Sequence, residues 1–114
     1  MSKPVGPYTS IVKAGEWLIA SGQVGQVDGV LVPGGIAAEE RQALENLKSV
    51  LATENASLND VVKTMIFLVD MADYAQMNEI YIEAFGDHRP ARAAVAVAAL
   101  PLGAHFEIEA WAHK

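Results

Sequence analysis

The chain has 114 residues, of which 52% are apolar, contains no cysteine, and carries a formal net charge of −6 at pH 7. This length suits one domain with a modest core, so we expect a single domain over residues 1–114. The lack of cysteine excludes disulfides, thiol catalysis and thiolate metal sites, and the acidic balance argues against a general nucleic-acid surface, which needs a basic stripe.

The apolar content also bears on assembly and location. A mean hydropathy of +0.20 is high for a small protein and indicates that other subunits cover some apolar surface. No run approaches the roughly 20 apolar residues of a membrane span. The N-terminus Met1-Ser2-Lys3-Pro4 lacks the apolar core of a secretory signal. We therefore expect a cytoplasmic protein without a membrane contact.

Three short strands are predicted in the first third of the chain. Residues 6–13 are extended and lead through a turn at Ala14-Gly15-Glu16 into a strand over residues 17–24, so the opening predicts a hairpin. Ser21-Gly22-Gln23 at the end of this strand is either a pocket rim or a simple strand ending. A brief third strand over residues 29–32 stops at Pro33-Gly34-Gly35.

The middle of the chain alternates between helix and strand. Residues 36–54 have helical period, with an apolar stripe through Leu44, Leu47, Val50 and Leu51 and a predicted solvated side formed by Glu39, Glu40, Arg41, Glu45 and Lys48. Residues 61–69 are the most apolar strand and are predicted to be central. Asp70 or Asp73 then caps a helix over residues 74–85, which ends near Gly86.

One polar residue interrupts the apolar stripe of the second helix. Asn78 lies on the face formed by Tyr74, Met77 and Tyr81, which should pack against the sheet. Two interpretations are open: Asn78 sits at the edge of the stripe or bonds a neighbouring carbonyl, or it shapes a pocket wall.

The C-terminal residues 89–112 predict two strands joined by Pro101-Leu102-Gly103, each with charges among small and apolar residues. Because alternate side chains share a face, Arg92 stands over a floor formed by Ala94, Ala96 and Ala98. On the second strand Glu107 and Glu109 lie opposite the apolar residues Phe106, Ile108, Ala110 and Ala112. An arginine beside carboxylates on a neighbouring strand predicts a small-anion site. The alternative is an edge-strand arginine that is solvated or paired with Glu107 or Glu109 across the ladder.

The element order β-β-β-α-β-α-β-β predicts an α+β sandwich of two layers. It consists of a mixed six-stranded sheet with both helices on one face, while the other face is covered by sister subunits. The pattern contains no phosphate loop and no nucleophile elbow. His88, His105 and His113 lack metal-ligand spacing, so they are interpreted as surface or strand-end residues and no metal site is expected.

Six short motifs, taken in order, resemble the RidA/YjgF family over nearly the whole chain. They are Gly6-Pro7-Tyr8-Thr9, Ser21-Gly22-Gln23, Asp60-Val61-Val62-Lys63-Thr64, Asn78-Glu79-Ile80-Tyr81-Ile82-Glu83-Ala84-Phe85, Pro90-Ala91-Arg92 and Glu107-Ile108-Glu109-Ala110. The resemblance implies a chorismate-mutase-like fold assembled as a homotrimer with three clefts between subunits. It also implies hydrolysis of enamines or imines such as 2-iminobutanoate and 2-iminopropanoate to 2-keto acids and ammonia, without a cofactor.

The resemblance also assigns residues. Arg92 matches the arginine that binds the substrate carboxylate, and Glu107 matches the glutamate that positions or activates water. Tyr8, Ser21 and Asn78 match pocket residues. A guanidinium can bind a carboxylate through two parallel hydrogen bonds, which would fix the imine carbon for attack by a directed water.

Three features depart from the family pattern. Ala94 stands where active members commonly have cysteine or serine, so this substrate-binding position would contribute its backbone, and Ala96 replaces the glutamate of a Val-Glu-Val sequence. The loop over residues 24–35 is also short. These changes indicate another substrate or a lapsed activity. The alternative functions are therefore a non-catalytic trimeric protein that binds small carboxylates for sensing or regulation, and an endoribonuclease or translation inhibitor, against which the acidic charge argues.

Overall fold

The computed structural model describes residues 4–114. Residues 1–3, which entered the argument against a secretory signal, lie outside the described residues. Within the described part, no helix is long and apolar enough to cross a membrane.

The main sheet has five strands in the order β1-β2-β7-β5-β6. Its strands are β1 (Ile11–Ala14), β2 (Trp17–Val24), β5 (Val61–Leu68), β6 (Ala91–Ala96) and β7 (Phe106–His113). β5 and β6 are parallel, and the other neighbours are antiparallel. The sheet is therefore mixed, as predicted, with β7 at its centre and β6 at one edge.

Two helices cover one face of this sheet. They are α1 (Gly35–Ala52) and α2 (Tyr74–Phe85). The predicted stripe of α1 is buried against the sheet, and α2 contributes Met77, Ile80, Tyr81 and Phe85 to the same core. The sheet face beneath the helices supplies the fully buried side chains Ile66, Leu68, Phe106, Ile108, Ala110 and Ala112. The predicted α+β sandwich of two layers is confirmed.

The strand count differs from the prediction of six. The predicted third strand contains β4 (Val30–Leu31), which pairs with β3 (Gln26–Val27) in a separate two-stranded piece. The Asn46 side chain of α1 donates hydrogen bonds to the backbone carbonyls of Val24 (3.1 Å) and Gln26 (2.9 Å). These bonds hold the segment against α1, so it does not extend the main sheet.

The two C-terminal strands are not neighbours, as the small-anion prediction had assumed. β5 lies between them, because β5, α2 and β6 form a parallel unit whose crossover places β6 on the outer side of β5. Arg92 is paired with Thr64 of β5, and Glu107 is paired with Phe67 of the same strand. A cross-ladder pair between Arg92 and either glutamate is therefore wrong, whereas the edge position of Arg92 is correct.

The prediction that Glu39 and Glu40 form a solvated face is also wrong. Their exposed fractions are 1% and 0%. A Cβ atom on Gly25 would collide with the Glu39 backbone, so the glycine allows the start of α1 to lie directly on the sheet and buries both carboxyls. Glu39 accepts a hydrogen bond from the His105 backbone N–H at 2.7 Å, and its other oxygen lies 2.6 Å from His105 Nδ1. His105 thus joins α1 to the start of β7.

Glu40 lacks such partners. Neither carboxyl oxygen has a hydrogen-bond partner among residues 4–114. Burial raises the pKa of Glu40 from 4.5 to about 8, because the attraction of Arg41 and Arg92 is smaller than the loss of hydration and Glu83 adds repulsion. The Glu40 carboxyl is therefore largely protonated at neutral pH.

We expect Glu40→Gln to flatten the dependence of folding stability on pH. The folded pKa of Glu40 lies above its unfolded value, so its contribution is complete below pH 4.5 and is lost as pH rises toward 8. At about 1.4 kcal/mol per pH unit, the wild-type free energy of unfolding falls by roughly 3–4 kcal/mol between pH 5 and pH 8 through this group.

Chemical denaturation at several pH values, at one protein concentration, measures this difference. Glu45→Gln is the control, since the Glu45 side chain is 64% exposed and paired with Lys48 in the same helix. Parallel pH profiles for the wild type and Glu40→Gln would contradict the assignment.

Candidate active site

The predicted site residues fall into two groups on opposite faces of the sheet. Arg92 and Ala110 are both paired with Thr64, which is fully buried beneath the helices, so Arg92 lies on the helix-covered face. Glu107 is paired with Phe67, whose side chain points to the other, uncovered face. A single chain therefore does not bring Arg92 and Glu107 together.

The first group lies around an open cavity on the uncovered face, with a volume of about 340 Å³. We call it the Glu107 cavity; its lining residues are Val5, Tyr8, Ser21, Gly22, Val24, Pro101, Glu107 and Glu109. Three residues of the predicted site, Tyr8, Ser21 and Glu107, therefore meet at one place. Gly22 belongs to the segment interpreted as a possible pocket rim, and Glu109 was one of the carboxylates of the predicted anion site, whereas the contribution of Pro101 to this cavity was missed.

A bulge in β2 shapes one wall of the Glu107 cavity. Ala20 is paired with Ala110 and Gln23 with Ile108, so β2 has one residue more than β7 in this interval, at Ser21-Gly22. The Ser21 hydroxyl donates a 2.6 Å hydrogen bond to the Thr9 carbonyl. This bond ties the N-terminal segment to β2 and thereby keeps Tyr8 at the cavity.

Gly22 provides the space for the Glu107 carboxyl. A Cβ atom on Gly22 would lie 2.8 Å from the Glu107 carboxyl carbon, which is closer than real contacts allow. The Glu107 side chain thus lies across the glycine. A glycine inside a strand often marks such a close approach, and this signal in Ser21-Gly22-Gln23 could have identified the contact.

The surroundings of Glu107 increase its basicity. Burial is the main cause that raises the pKa of the Glu107 carboxyl, and the negative charge of Glu109 raises it further. A carboxylate with a raised pKa accepts a proton from water more readily than an exposed one.

The second group surrounds Arg92, and we call it the Arg92 cluster: Tyr74, Met77, Asn78, Tyr81 and Arg92. Arg92 Nη2 donates a 2.9 Å hydrogen bond to the Tyr74 hydroxyl. The guanidinium carbon lies 4.9 Å from the centre of the Tyr81 ring and 5.6 Å from that of Tyr74, which are cation–π distances. Arg92 Nη1 is also 4.0 Å from Met77 Sδ. None of these partners neutralises the positive charge.

Asn78 lies one turn after Tyr74 on α2, in the same cluster. Its Oδ1 is buried and has no hydrogen-bond donor among the described residues. Buried acceptors are normally paired, so an unpaired one on the helix that contacts Arg92 through Tyr74 and Tyr81 favours the pocket-wall interpretation of Asn78.

The alanines beyond Arg92 differ in what they contribute. Ala94 lies on the helix-covered face with Arg92 and packs against the core, so it offers a ligand its backbone and a methyl group. Ala96 is the last residue of β6, and Ala98 lies beyond it. The predicted alanine floor is therefore shorter than expected. Tyr74 and Tyr81 were predicted as core stripe residues, and their contact with Arg92 was missed.

These observations define a class: a two-layer α+β protein with an uncompensated arginine on one sheet face and a basic carboxylate on the other. The family model described as Endoribonuclease L-PSP matches residues 1–114. The chain belongs to this family, the RidA/YjgF family, as the sequence motifs predicted.

Several known proteins are similar to the chain. A RutC family protein of Pyrococcus horikoshii is 48% identical, with 98% of this chain and 90% of that protein covered. The 2-iminobutanoate/2-iminopropanoate deaminase of Mus musculus is 47% identical, with 93% and 80% covered. The crystal structure of RidA from the Antarctic bacterium Psychrobacter sp. PAMC 21119 superposes with a TM-score of 0.94 at 39% identity, covering 99% of this chain and 93% of that one.

The contact between Gly22 and Glu107 predicts a coupling that stability measurements can detect. Gly22→Ala should lower the free energy of unfolding by about 1 kcal/mol, the low end of overpacking penalties, because the obstructing group is the mobile end of a side chain. In a Glu107→Ala background the same substitution should have nearly no effect. Equal penalties in both backgrounds, from denaturant unfolding of the four proteins, would show that the carboxyl does not lie across Gly22.

Proposed function

We propose that the protein is a homotrimeric imine deaminase whose active site forms where the Glu107 cavity of one subunit meets the Arg92 cluster of the next. The observation that carries the proposal is the position of Arg92 and Glu107 on opposite faces of one sheet. A small substrate can contact both groups only if a second copy supplies one of them. The deaminase name of the 47% identical mouse relative supports the reaction.

The uncovered sheet face supports the assembly. Its apolar side chains include Trp17, Trp111 and Val95, which are 41%, 45% and 38% exposed. The Trp17 and Trp111 rings pack edge to face, with their centres 6.3 Å apart. An exposed apolar patch of this kind is typical of a subunit interface, and it adjoins the Glu107 cavity on the same face.

In the proposed reaction Arg92 binds the carboxylate of a 2-imino acid. The hydrogen bond from Arg92 to Tyr74 and the ring of Tyr81 fix the guanidinium, while its remaining N–H groups are available to the substrate. The apolar residues Val5, Val24 and Pro101 of the Glu107 cavity would contact the alkyl group of the substrate. This arrangement suits small carboxylates with a short aliphatic chain.

Glu107 then directs the water. It takes a proton from the water as the water oxygen bonds to the imine carbon, the C=N π electrons move to nitrogen, and Glu107 gives this proton to the nitrogen. Glu107 then takes the hydroxyl proton of the resulting carbinolamine and passes it to the nitrogen as the C=O bond forms and the C–N bond breaks, so ammonia and the 2-keto acid leave. Water and the imino acid are consumed in equal amounts, and the enzyme is regenerated without a covalent intermediate. Placement of the water and the imine carbon supplies most of the acceleration.

A second candidate is a trimeric protein that binds small carboxylates without turning them over. It is favoured by Ala94 and Ala96, since β6 then adds no polar side chain beside Arg92. Turnover separates the two candidates, because both bind a keto acid. A function on RNA is disfavoured by the net charge of −6.

A mixture of two inactive variants tests the shared site. Threonine dehydratase generates 2-iminobutanoate, semicarbazide traps what is not hydrolysed, and each protein is added at equal concentration. Arg92→Ala and Glu107→Gln should each be inactive alone. Co-expressed at equal levels and purified together without removal of the homotrimers, they should recover about a quarter of the wild-type activity, because random assembly restores about one interface in four.

Mixed trimers with no activity, beside an active wild type, would place Arg92 and Glu107 of one site in the same subunit. A wild type that does not suppress trapping of several imino acids would favour the binding protein instead.

A charge on the uncovered face should prevent assembly. We expect Trp111→Glu to sediment as a monomer and to lose activity while it keeps its circular dichroism spectrum, because burying a carboxylate in an apolar interface costs more free energy than an ion pair with Lys63 across the ladder would return. Ala52→Glu is the control: Ala52 is exposed at the C-terminal end of α1, three turns beyond Glu40, which feels the Arg92 charge, and should leave the assembly intact. A trimer in Trp111→Glu would contradict this interface.

A further inference from the structure

Two carboxyl groups line the Glu107 cavity, and the proposed reaction uses one of them. Glu107 and Glu109 are two residues apart on β7, so their side chains point to the same face of the sheet. Both line the cavity beside Ser21 and Gly22, where β2 bulges away opposite Glu109. Strand geometry thus holds two acidic groups side by side at the reaction site.

The negative charge of Glu109 is not compensated within the chain. The Glu109 carboxylate forms no ion pair or side-chain hydrogen bond among residues 4–114. Lys63 of β5 is paired with Trp111 on the neighbouring strand, one pair away on the same face, but it makes no ion pair with Glu109. No cation among the described residues therefore balances the charge of Glu109.

The groups other than Glu109 that line the described cavity around Glu107 carry no charge. Glu109 shares its strand, and the N-terminal segment contributes Tyr8, whose hydroxyl accepts a hydrogen bond from the Val5 backbone N–H. β2 contributes Ser21, Gly22 and Val24, β5 contributes Phe67, and the turn before β7 contributes Pro101. The last five, from Ser21 to Pro101 in this list, have no group that ionises at neutral pH. Glu109 is therefore the charged side chain of the described cavity that acts on Glu107.

We propose that Glu109 is a positioning residue that acts through Glu107: its negative charge raises the affinity of Glu107 for the proton taken from water. The inference rests on the proposed function. A lone glutamate is a weak base, because its proton affinity lies far below that needed at neutral pH. A second carboxylate nearby penalises the charged form of Glu107, which makes Glu107 a better acceptor of the water proton.

The same effect serves the second half of the reaction. The proton that leaves water is held on Glu107 until the nitrogen takes it and ammonia departs, so no proton is gained or lost over the cycle. A base whose proton affinity is matched to the working pH can perform both transfers. Burial and Glu109 both raise the pKa of Glu107, in that order, which agrees with this role.

Glu109→Gln tests the inference, since it removes the charge and keeps the size of the side chain. The titration of Glu107 is followed by NMR in protein labelled with 13C at the glutamate carboxyl, and its signal is assigned with Glu107→Gln. We expect Glu107 to titrate at lower pH in Glu109→Gln. The acid limb of the kcat/KM profile should move in the same direction, with kcat less than about tenfold lower, a small part of what general acid–base catalysis supplies.

Two further variants control the result. Glu45→Gln changes the net charge equally but lies on α1, paired with Lys48, and should leave the Glu107 titration unchanged. Glu109→Asp keeps the charge and should give a titration close to wild type, which also covers the case in which Glu109→Gln does not fold.

An unchanged Glu107 titration in folded Glu109→Gln, or an equal shift in Glu45→Gln, would overturn the inference. So would a shifted titration with an unchanged rate profile. A wild type without turnover at any pH would instead count against the proposed function, because the NMR titration does not depend on activity.

Discussion

The position of β5 between β6 and β7 is the constraint on which the arrangement of the site depends. Because β5 and β6 are parallel, they need a crossover, and α2 provides it on the helix-covered face. β6 then becomes an edge strand with Arg92 directed toward α2, and β7 pairs on the other side of β5. The period of two in β7 buries Phe106, Ile108 and Ala110, so Glu107 must point to the uncovered face. Pairing order and strand periodicity thus separate the guanidinium from the carboxylate.

The helix layer contains two buried carboxyl groups with different surroundings. Glu39 and Glu40 are adjacent and equally buried, yet Glu39 receives the His105 backbone N–H and lies against its ring, while Glu40 receives no hydrogen bond from the described residues. A paired carboxylate can remain charged in the interior, whereas an unpaired one takes up a proton. The field of Arg92 reaches Glu40 and lowers its pKa without overcoming burial. The Arg92 charge therefore remains without a carboxylate partner among residues 4–114.

Local patterns predicted much of this fold and less of its connectivity. Alternation in Phe106–His113 identified the buried and open faces of β7, and helical period identified the core stripe of α1, because both signals depend on neighbouring residues alone. The short Pro101–Gly103 connection suggested that β6 and β7 are adjacent, but pairing order is decided by long-range packing that short-range patterns do not contain. Glu39 and Glu40 were misassigned for a similar reason: their burial depends on Gly25 of another segment.

For the candidate site as well, local patterns identified the residues but not their relative positions. Motifs identified Tyr8, Ser21 and Glu107, which meet in one cavity, and Arg92, Asn78 and Ala94, which lie near one another on the other face. That the two sets are separated by a sheet is a property of the pairing order, so no motif could reveal it. Likewise, Tyr74 and Tyr81 had the spacing of ordinary core residues, and their contact with Arg92 depends on the crossover that places α2 above β6.

This separation has a chemical advantage. An arginine and a glutamate within reach of each other in one chain would form an ion pair, and the pair would lower the basicity of the carboxylate and occupy the N–H groups of the guanidinium. Here Arg92 is held by an aromatic hydroxyl and an aromatic ring, which fix its orientation but leave its charge available to an anion. Glu107 has a like charge as its neighbour, which strengthens it as a base. Arg92 is thus prepared to bind an anion, and Glu107 is prepared to accept a proton. In the proposed assembly, a substrate placed between the two subunits would contact both groups before they could form an ion pair.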